Sequence, residues 1–189
     1  FGLKFLSSGL LYRYASYLLI NKKPLNRINF LEKCFNNLNL HALNKINLHT
    51  PEISEYTSVI AKEKKIRLIL KNFQKRFAKK HKKVCIEGRD IGTVILPKAD
   101  IKFFFKCDLM TASKRRFIEL KKTNRNIKLN DVKKSIKTRN YRDISRKNSP
   151  LLESSDAIIV DTGKLKNISD MINKLSETIE KKIKEKYGS

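Results

Sequence analysis

The run from Thr138 to Arg146 carries the side chains in this sequence that are best suited to chemistry. On a helix, positions 139, 142 or 143, and 146 share one face, so two or three guanidinium groups and one carboxylate would point the same way. Such a cluster repels itself unless an anion lies beside it, and arginine can bind two phosphate oxygens at once. The alternative is an exposed helix with intrahelical Arg–Asp pairs, each worth roughly 0.2–0.5 kcal/mol. That alternative is weakened because the run contains almost no lysine, in a chain that uses lysine nearly everywhere else.

A second charged pair follows the apolar run that starts at Val84. The run predicts a short buried strand, and Gly88 marks its end. Arg89 and Asp90 then lie at the carboxyl end of the strand, where ligands bind in open parallel α/β sheets. They can pair with each other in a strand-terminal turn or face a polar substrate, and these ten residues alone favour the first.

The composition bounds the class of protein. The chain has 189 residues, enough for one globular domain, and a net charge of +25. This charge suits a nucleic acid or an anionic membrane as partner. Lysine spread over most of the chain also fits a genome with A/T-rich codons, and composition weighs the two interpretations about evenly. An anionic small substrate, such as a nucleotide, fits the charge as well.

The cysteines and histidines indicate a reducing compartment and no metal site. Cys34, Cys85 and Cys107 are far apart, which predicts reduced, mostly buried thiols in a cytosolic protein. The three histidines lack the spacing of metal ligands. The apolar stretch 10–20 is too short to cross a bilayer and is interrupted by Arg13.

The patterning of the remaining chain predicts strands alternating with helices, hence an α/β fold with a parallel sheet covered by helices on both faces. The predicted strands are a strand or turn within 1–9, the run from Val84, and segments 101–107 and 157–160. The predicted helices start at Leu10, near Asn29, at Pro51 with Thr50 as N-cap, near Ile66, near Thr111, after Asn130 as N-cap and after Asn167 as N-cap.

Three blocks in this order resemble the bacterial cytidylate (CMP) kinase family. Residues 6–13, LSSGLLYR, are similar to the family pattern L-D-S/T-G-x-x-Y-R, and residues 87–97, EGRDIGTVILP, to D-G-R-D-x-G-T-V-V-x-P. Residues 139–146, RNYRDISR, followed by SPL at 149–151, are similar to R-D-x-x-D-x-x-R and a later A/S-P-L. Residues 156–162, DAIIVDT, continue the agreement, which runs from end to end of the chain.

The resemblance implies a P-loop nucleoside monophosphate kinase fold and transfer of the γ-phosphoryl group of ATP, with Mg²⁺, to CMP or dCMP. Phosphoryl transfer relies on positioning and positive charge more than on a covalent residue. By matching position, the resemblance implies roles for the following side chains. Those around the CMP phosphate are Ser8, Arg13 and Arg89; those at the cytosine edge are Ser58, Arg67 and Asp90; those at the ribose are Arg139 and Asp143. The catalytic arginines it implies, toward the transferring phosphoryl group, are Arg115, Arg116 and Arg146.

The resemblance also implies a domain organisation and a setting. Residues 1–23 and 81–189 would form the core domain, 24–80 a CMP-binding segment, and 113–128 a lid-like segment within the core. The expected protein is a cytoplasmic monomer that binds CMP or dCMP and ATP, with no membrane partner and no nucleic-acid role.

The sequence departs from the family pattern in three ways. The P-loop, G-x-x-x-x-G-K-S/T, is not found in these residues, and the chain begins at Phe1 rather than Met. We therefore expect the P-loop and its central strand to precede Phe1 in the natural protein, and residues 1–189 alone to have little kinase activity. Ser7 and Asn140 stand where the family usually has Asp, and residues 25–50 are shorter than the usual CMP-binding insert.

Two alternatives follow from the same residues. A basic nucleic-acid-binding protein would show RNA or DNA binding with a steep salt dependence and no base preference. A nucleic-acid-binding role leaves the arginines within 139–146 and the Gly88–Gly92 turn unexplained. A small-molecule kinase of related fold would differ in its phosphoryl acceptor, which a substrate panel would reveal.

Overall fold

The computed structural model describes residues 1–122, 125–165 and 167–188. Its strands and helices alternate along the chain. The strands are β1 (Lys4–Ser7), β2 (Val84–Glu87), β3 (Phe103–Lys106) and β4 (Ile158–Asp161). The helices are α1 (Ser8–Lys22), α2 (Arg27–Asn36), α3 (Pro51–Ile60), α4 (Lys64–Lys80), α5 (Leu109–Lys121), α6 (Leu129–Ser145) and α7 (Ile168–Tyr187). A 3₁₀ helix spans Leu40–Lys45, and one π-helical turn spans Ile91–Ile95.

Side-chain caps decide where several helices begin. Thr50 accepts a hydrogen bond from the backbone N–H of Ile53 at 3.2 Å, and Asn167 caps α7 in the same way, so both predicted starts are confirmed. Asp108 caps α5, which therefore begins two residues before the predicted Thr111. The prediction of Asn130 as a cap is wrong, because α6 begins at Leu129 and Asn130 lies inside its first turn.

Residues 1–97 and 142–152 form one compact unit. In it β1 and β2 pair in parallel, from Lys4 opposite Val84 to Ser7 opposite Glu87, so both strands end at one edge. The core lies among α1, α2, α3 and α4, where apolar side chains such as Leu11, Phe35 and Leu70 are fully buried. The first pair of strands is thus held against a helical core, which fixes the turns that leave its carboxyl edge.

Residues 98–141 and 153–189 form a second compact unit. Its strands β3 and β4 are also parallel, from Phe103 opposite Ile158 to Lys106 opposite Asp161. Lys102 is buried just before β3 and binds the Asp156 carboxylate at 2.7–2.8 Å. Parallel strands alternating with helices in both units confirm the predicted α/β class.

Two predictions about burial are wrong. The strand β2 is not buried throughout, because half-buried Val84 and Ile86 alternate with exposed Cys85 and Glu87. The cysteines are free, as predicted, but Cys85 and Cys107 are exposed and only Cys34 is half-buried. Cys85 lies on the outward face of β2, and Cys107 follows the last residue of β3.

Among the described residues, none of the helices combines the length and the apolar character needed to cross a bilayer.

Candidate functional site

The candidate site begins where β1 and β2 end. Ser8 starts α1 directly after β1, and Gly88 follows β2. A Cβ atom on Gly88 would lie 2.9 Å from Cβ of Ser8 and 2.9 Å from the side chain of Ile91, so only glycine lets the turn pass this close to α1. The Oγ atom of Ser8 is buried and has no hydrogen-bond partner among the described residues. Because buried polar atoms are nearly always paired, this hydroxyl is a candidate for a hydrogen bond with a ligand.

A buried ion pair joins α4 to the turn after β2. Nη2 of Arg67 binds Oδ2 of Asp90, with side-chain exposures of 8% and 7%. The other arm of the guanidinium, Nη1, donates to the backbone oxygen of Ala61 at 3.0 Å. The guanidinium also lies over the ring of Tyr12, 5.6 Å from its centroid. Arg67 is therefore held from three sides and keeps a fixed orientation.

The second ionic group is centred on Asp143, near the carboxyl end of α6. One carboxylate oxygen lies 3.2 Å from Nε of Arg89, and the other accepts from Nη1 of Arg146 at 3.1 Å. Nε of Arg146 donates to the backbone oxygen of Ser149 at 2.5 Å. The Arg146 side chain is only 7% exposed, and its Nη2 atom has no hydrogen-bond partner among the described residues. This leaves both N–H donors of the buried Nη2 atom available to an acceptor such as a phosphate oxygen.

The two ionic groups influence each other electrostatically. Burial lowers the pKa of Arg146, and the positive charge of Arg67 lowers it further, whereas Asp143 and Asp90 raise it. Burial also raises the pKa of Tyr12 to about 12, against the opposing effect of Arg67. We call the set Arg67, Arg89, Asp90, Asp143 and Arg146 the arginine cluster. It holds three positive and two negative charges, so a bound anion would offset its excess positive charge.

The structure resolves which residues of α6 share a face with the cluster. Asp143 and Arg146 meet, whereas Arg142 turns to α3, where Nη1 donates to Oγ of Ser58 at 2.6 Å and lies 3.1 Å from the Glu55 carboxylate. The choice between positions 142 and 143 could not be made from the sequence, because helical spacing allows both.

Two further predicted residues make their hydrogen bonds within the first unit. Arg13 donates from Nη1 to the backbone oxygen of Leu48 at 3.1 Å and to Oγ of Ser54 at 2.7 Å, linking α1 to α3 and the segment before it. Ser58 donates to the backbone oxygen of Glu55 at 2.8 Å and accepts from Arg142. Sequence analysis also missed Tyr12 and Ser149, although both lie inside the quoted motifs.

The remaining predicted residues belong to the second unit. Arg115, exposed on α5, donates to the backbone oxygen of Thr162 at 2.8 Å, and Arg116 pairs with Glu119 at 2.6 Å. Arg139 is exposed on α6, four residues before Asp143. Within the predicted lid-like segment 113–128, Thr123 and Asn124 lie outside the described residues, and its first part is the helix α5.

Comparison with known proteins gives consistent matches. The family model described as cytidylate kinase matches residues 1–181. A cytidylate kinase of Lactobacillus gasseri is 39% identical over 139 residues, which are 74% of this chain and 60% of that protein. A cytidylate kinase of Fusobacterium nucleatum is 35% identical over 192 residues, covering 96% of this chain and 87% of that protein. One from Clostridium botulinum is 33% identical over 191 residues, covering 95% and 87%.

Proposed function

Because this chain belongs to the cytidylate kinase family, we propose that it transfers the γ-phosphoryl group of ATP to CMP or dCMP, giving CDP or dCDP. The family match confirms the resemblance found in the motif blocks, and with it the predicted kinase class and fold. The reaction of this chain, its substrates and the roles of its residues are the proposal.

The observation that carries the proposal is the arginine cluster together with two buried polar atoms that have no hydrogen-bond partner among the described residues. Oγ of Ser8 and Nη2 of Arg146 are both buried donors, and both belong to the first unit. A nucleotide phosphate supplies acceptors for such donors and offsets the positive charge around them. Asp143 holds Arg89 and Arg146 before any substrate arrives, so little reorganisation is needed when the phosphate binds.

The roles proposed for individual residues follow the family pattern. The CMP phosphate would be bound by Ser8, Arg13 and Arg89, and the cytosine edge by Ser58, Arg67 and Asp90. The ribose would be bound by Arg139 and Asp143, and the transferring phosphoryl group by Arg115, Arg116 and Arg146. Of these, Arg67 and Asp90 have the most rigid setting, because both are buried and bind each other. A guanidinium donor and a carboxylate acceptor side by side suit a base that presents both an acceptor and an amino group.

ATP with Mg²⁺ is the proposed phosphoryl donor. Within the described ranges, His, Cys, Asp and Glu side chains do not gather in a group of three or more that could hold a metal ion. Mg²⁺ in such reactions is commonly held by one or two carboxylates together with the substrate phosphates. A cytoplasmic, monomeric enzyme without membrane or nucleic-acid partners completes the proposal.

The test is calorimetric titration of the protein, as its gene encodes it, with CMP, dCMP, UMP and AMP, beside a coupled assay of ADP release. CMP or dCMP should bind and turn over best. The variant Arg146→Gln should weaken CMP binding by about 10–100-fold, since a hydrogen bond to a charged group is worth about 1.5–3 kcal/mol. Lys147→Gln, the exposed neighbour, is the matched control and should bind as the wild type does.

Preferential use of UMP or AMP would overturn the cytidine assignment. An unchanged CMP affinity in Arg146→Gln would remove Arg146 from the site. Salt-sensitive RNA binding without nucleotide turnover would favour the nucleic-acid alternative instead.

A further inference from the structure

The hydroxyl of Ser58 has almost no freedom left in how it forms hydrogen bonds. A serine hydroxyl has one proton to donate and two lone pairs that accept. The proton goes to the backbone oxygen of Glu55 at 2.8 Å, because a carbonyl can only accept. One lone pair accepts from Nη1 of Arg142 at 2.6 Å, because a guanidinium can only donate. The second lone pair has no hydrogen-bond partner among the described residues and is all that Ser58 can offer to a ligand.

Arg142 is placed so that it keeps the Ser58 hydroxyl in this hydrogen-bonded arrangement. The same Nη1 atom also lies 3.1 Å from Oε1 of Glu55, so the guanidinium is anchored on the carboxylate while it donates to Ser58. The carboxylate is 69% exposed and the Arg142 side chain 34% exposed, and ion pairs of this kind add little to folding stability. The main effect of the contact is therefore to fix the position of Ser58 Oγ rather than to stabilise the fold.

Ser58 also lies in the part of α3 that holds Arg67. The backbone oxygen of Ala61, three residues after Ser58, accepts from Nη1 of Arg67, and Arg67 in turn binds the buried Asp90. The residue that directly follows α3 thus anchors Arg67, and the last turn of α3 carries Ser58. Arg142 approaches this turn from α6, within the same compact unit.

We propose that Arg142 is a positioning residue that holds Ser58 as a pure hydrogen-bond acceptor, so that the site favours a base edge with an amino group over one with a carbonyl oxygen. This rests on the proposed function, because it assumes that Ser58 faces the base of a pyrimidine nucleotide. An amino group, as on cytosine, donates to the remaining lone pair. A carbonyl oxygen, as on uracil, meets that lone pair with no proton between the two oxygens, because the only proton of Ser58 is bound to Glu55.

The test compares the ratio of UMP to CMP dissociation constants, measured by calorimetry, in four proteins: wild type, Arg142→Gln, Ser58→Ala and the double variant. Arg142→Gln should lower the ratio about tenfold, mostly through weaker CMP binding, and Arg142→Lys, which keeps a donor, should restore part of it. In the Ser58→Ala background, Arg142→Gln should change the ratio no further, since the two residues act as one unit.

The matched control is Arg27→Gln. Arg27 and Glu63 form another partly exposed ion pair of the same unit, at 3.0 Å, and the control should leave the ratio unchanged. Thermal unfolding of each variant shows whether an effect on the ratio comes from lost structure.

Three outcomes would overturn the assignment of Arg142. They are an unchanged ratio in Arg142→Gln, an equal loss of the ratio in the Ser58→Ala background, and a loss that merely follows the melting temperature. A wild type that does not prefer CMP over UMP would instead contradict the proposed function, so the two failures are distinguishable.

Discussion

Separating the Arg67–Asp90 pair should reveal how strongly one buried contact supports both folding and recognition. Both side chains are more than nine-tenths buried. Removing one partner leaves a buried charge without its counter-ion, which costs about 3–5 kcal/mol. We therefore expect Asp90→Ala to lower the free energy of unfolding by this amount. Arg67→Met should cost a similar amount, because it strands the Asp90 carboxylate and also removes the bond to Ala61.

The double variant, Arg67→Met with Asp90→Ala, should be more stable than either single variant, because neither charge is then left unpaired. Urea unfolding of the four proteins measures this as a coupling energy, expected at about 3 kcal/mol or more because the double variant should lose less stability than either single variant. The double variant should still fail to bind CMP, which separates recognition from folding. Single variants that each lose less than about 1 kcal/mol, with additive effects, would refute the idea of a tightly coupled buried pair.

Three further predictions concern local features of the same unit. The pKa of Tyr12 is raised to about 12 in the folded protein, from about 10 in the unfolded chain, so its contribution to the free energy of unfolding should fall as the pH rises from 10 to 12, by up to about 1.4 kcal/mol per pH unit. The difference in unfolding free energy between wild type and Tyr12→Phe, measured in urea at each pH, isolates this contribution. If both proteins lost stability equally with pH, the prediction would be contradicted. Gly88→Ala should lower the free energy of unfolding by about 1–3 kcal/mol, because the new Cβ atom would lie 2.9 Å from its neighbours. Gly9→Ala, whose Cβ atom would lie 3.7 Å from the nearest atom, should not destabilise the protein. Equal melting temperatures of the two variants would disprove the close approach at Gly88. Thr50→Ala should cost about 1 kcal/mol of unfolding free energy by removing the cap of α3, and no loss in urea unfolding would show that the cap is dispensable.

Features of the sequence that act over a few residues predicted the structure well. Thr50 before Pro51 fixed the start of α3, and Asn167 that of α7, because a cap needs only a side-chain oxygen and an N–H three residues on. The end of β2 at Gly88 followed from the same kind of local signal. The motif blocks predicted the family because their order and spacing extend over the whole chain.

Contacts between residues far apart in the chain could not be predicted from the sequence. Helical spacing allowed either Arg142 or Asp143 to share a face with Arg146, and only the contacts of Asp143 with Arg89 and of Arg142 with Ser58 decide between them. The burial of Cys85 was mispredicted because an apolar run does not tell which face of a strand is covered. The partners of Arg13 lie 35 and 41 residues away, so no local pattern announces them.

A crystal structure of the protein with CMP bound tests the central claim most directly. We predict phosphate oxygens within hydrogen-bond distance of Nη2 of Arg146 and of Oγ of Ser8, with the base edge against Arg67, Asp90 and the free lone pair of Ser58. CMP seated elsewhere, with Oγ of Ser8 and Nη2 of Arg146 still without a hydrogen-bond partner, would contradict the assignment of this cluster as the nucleotide site.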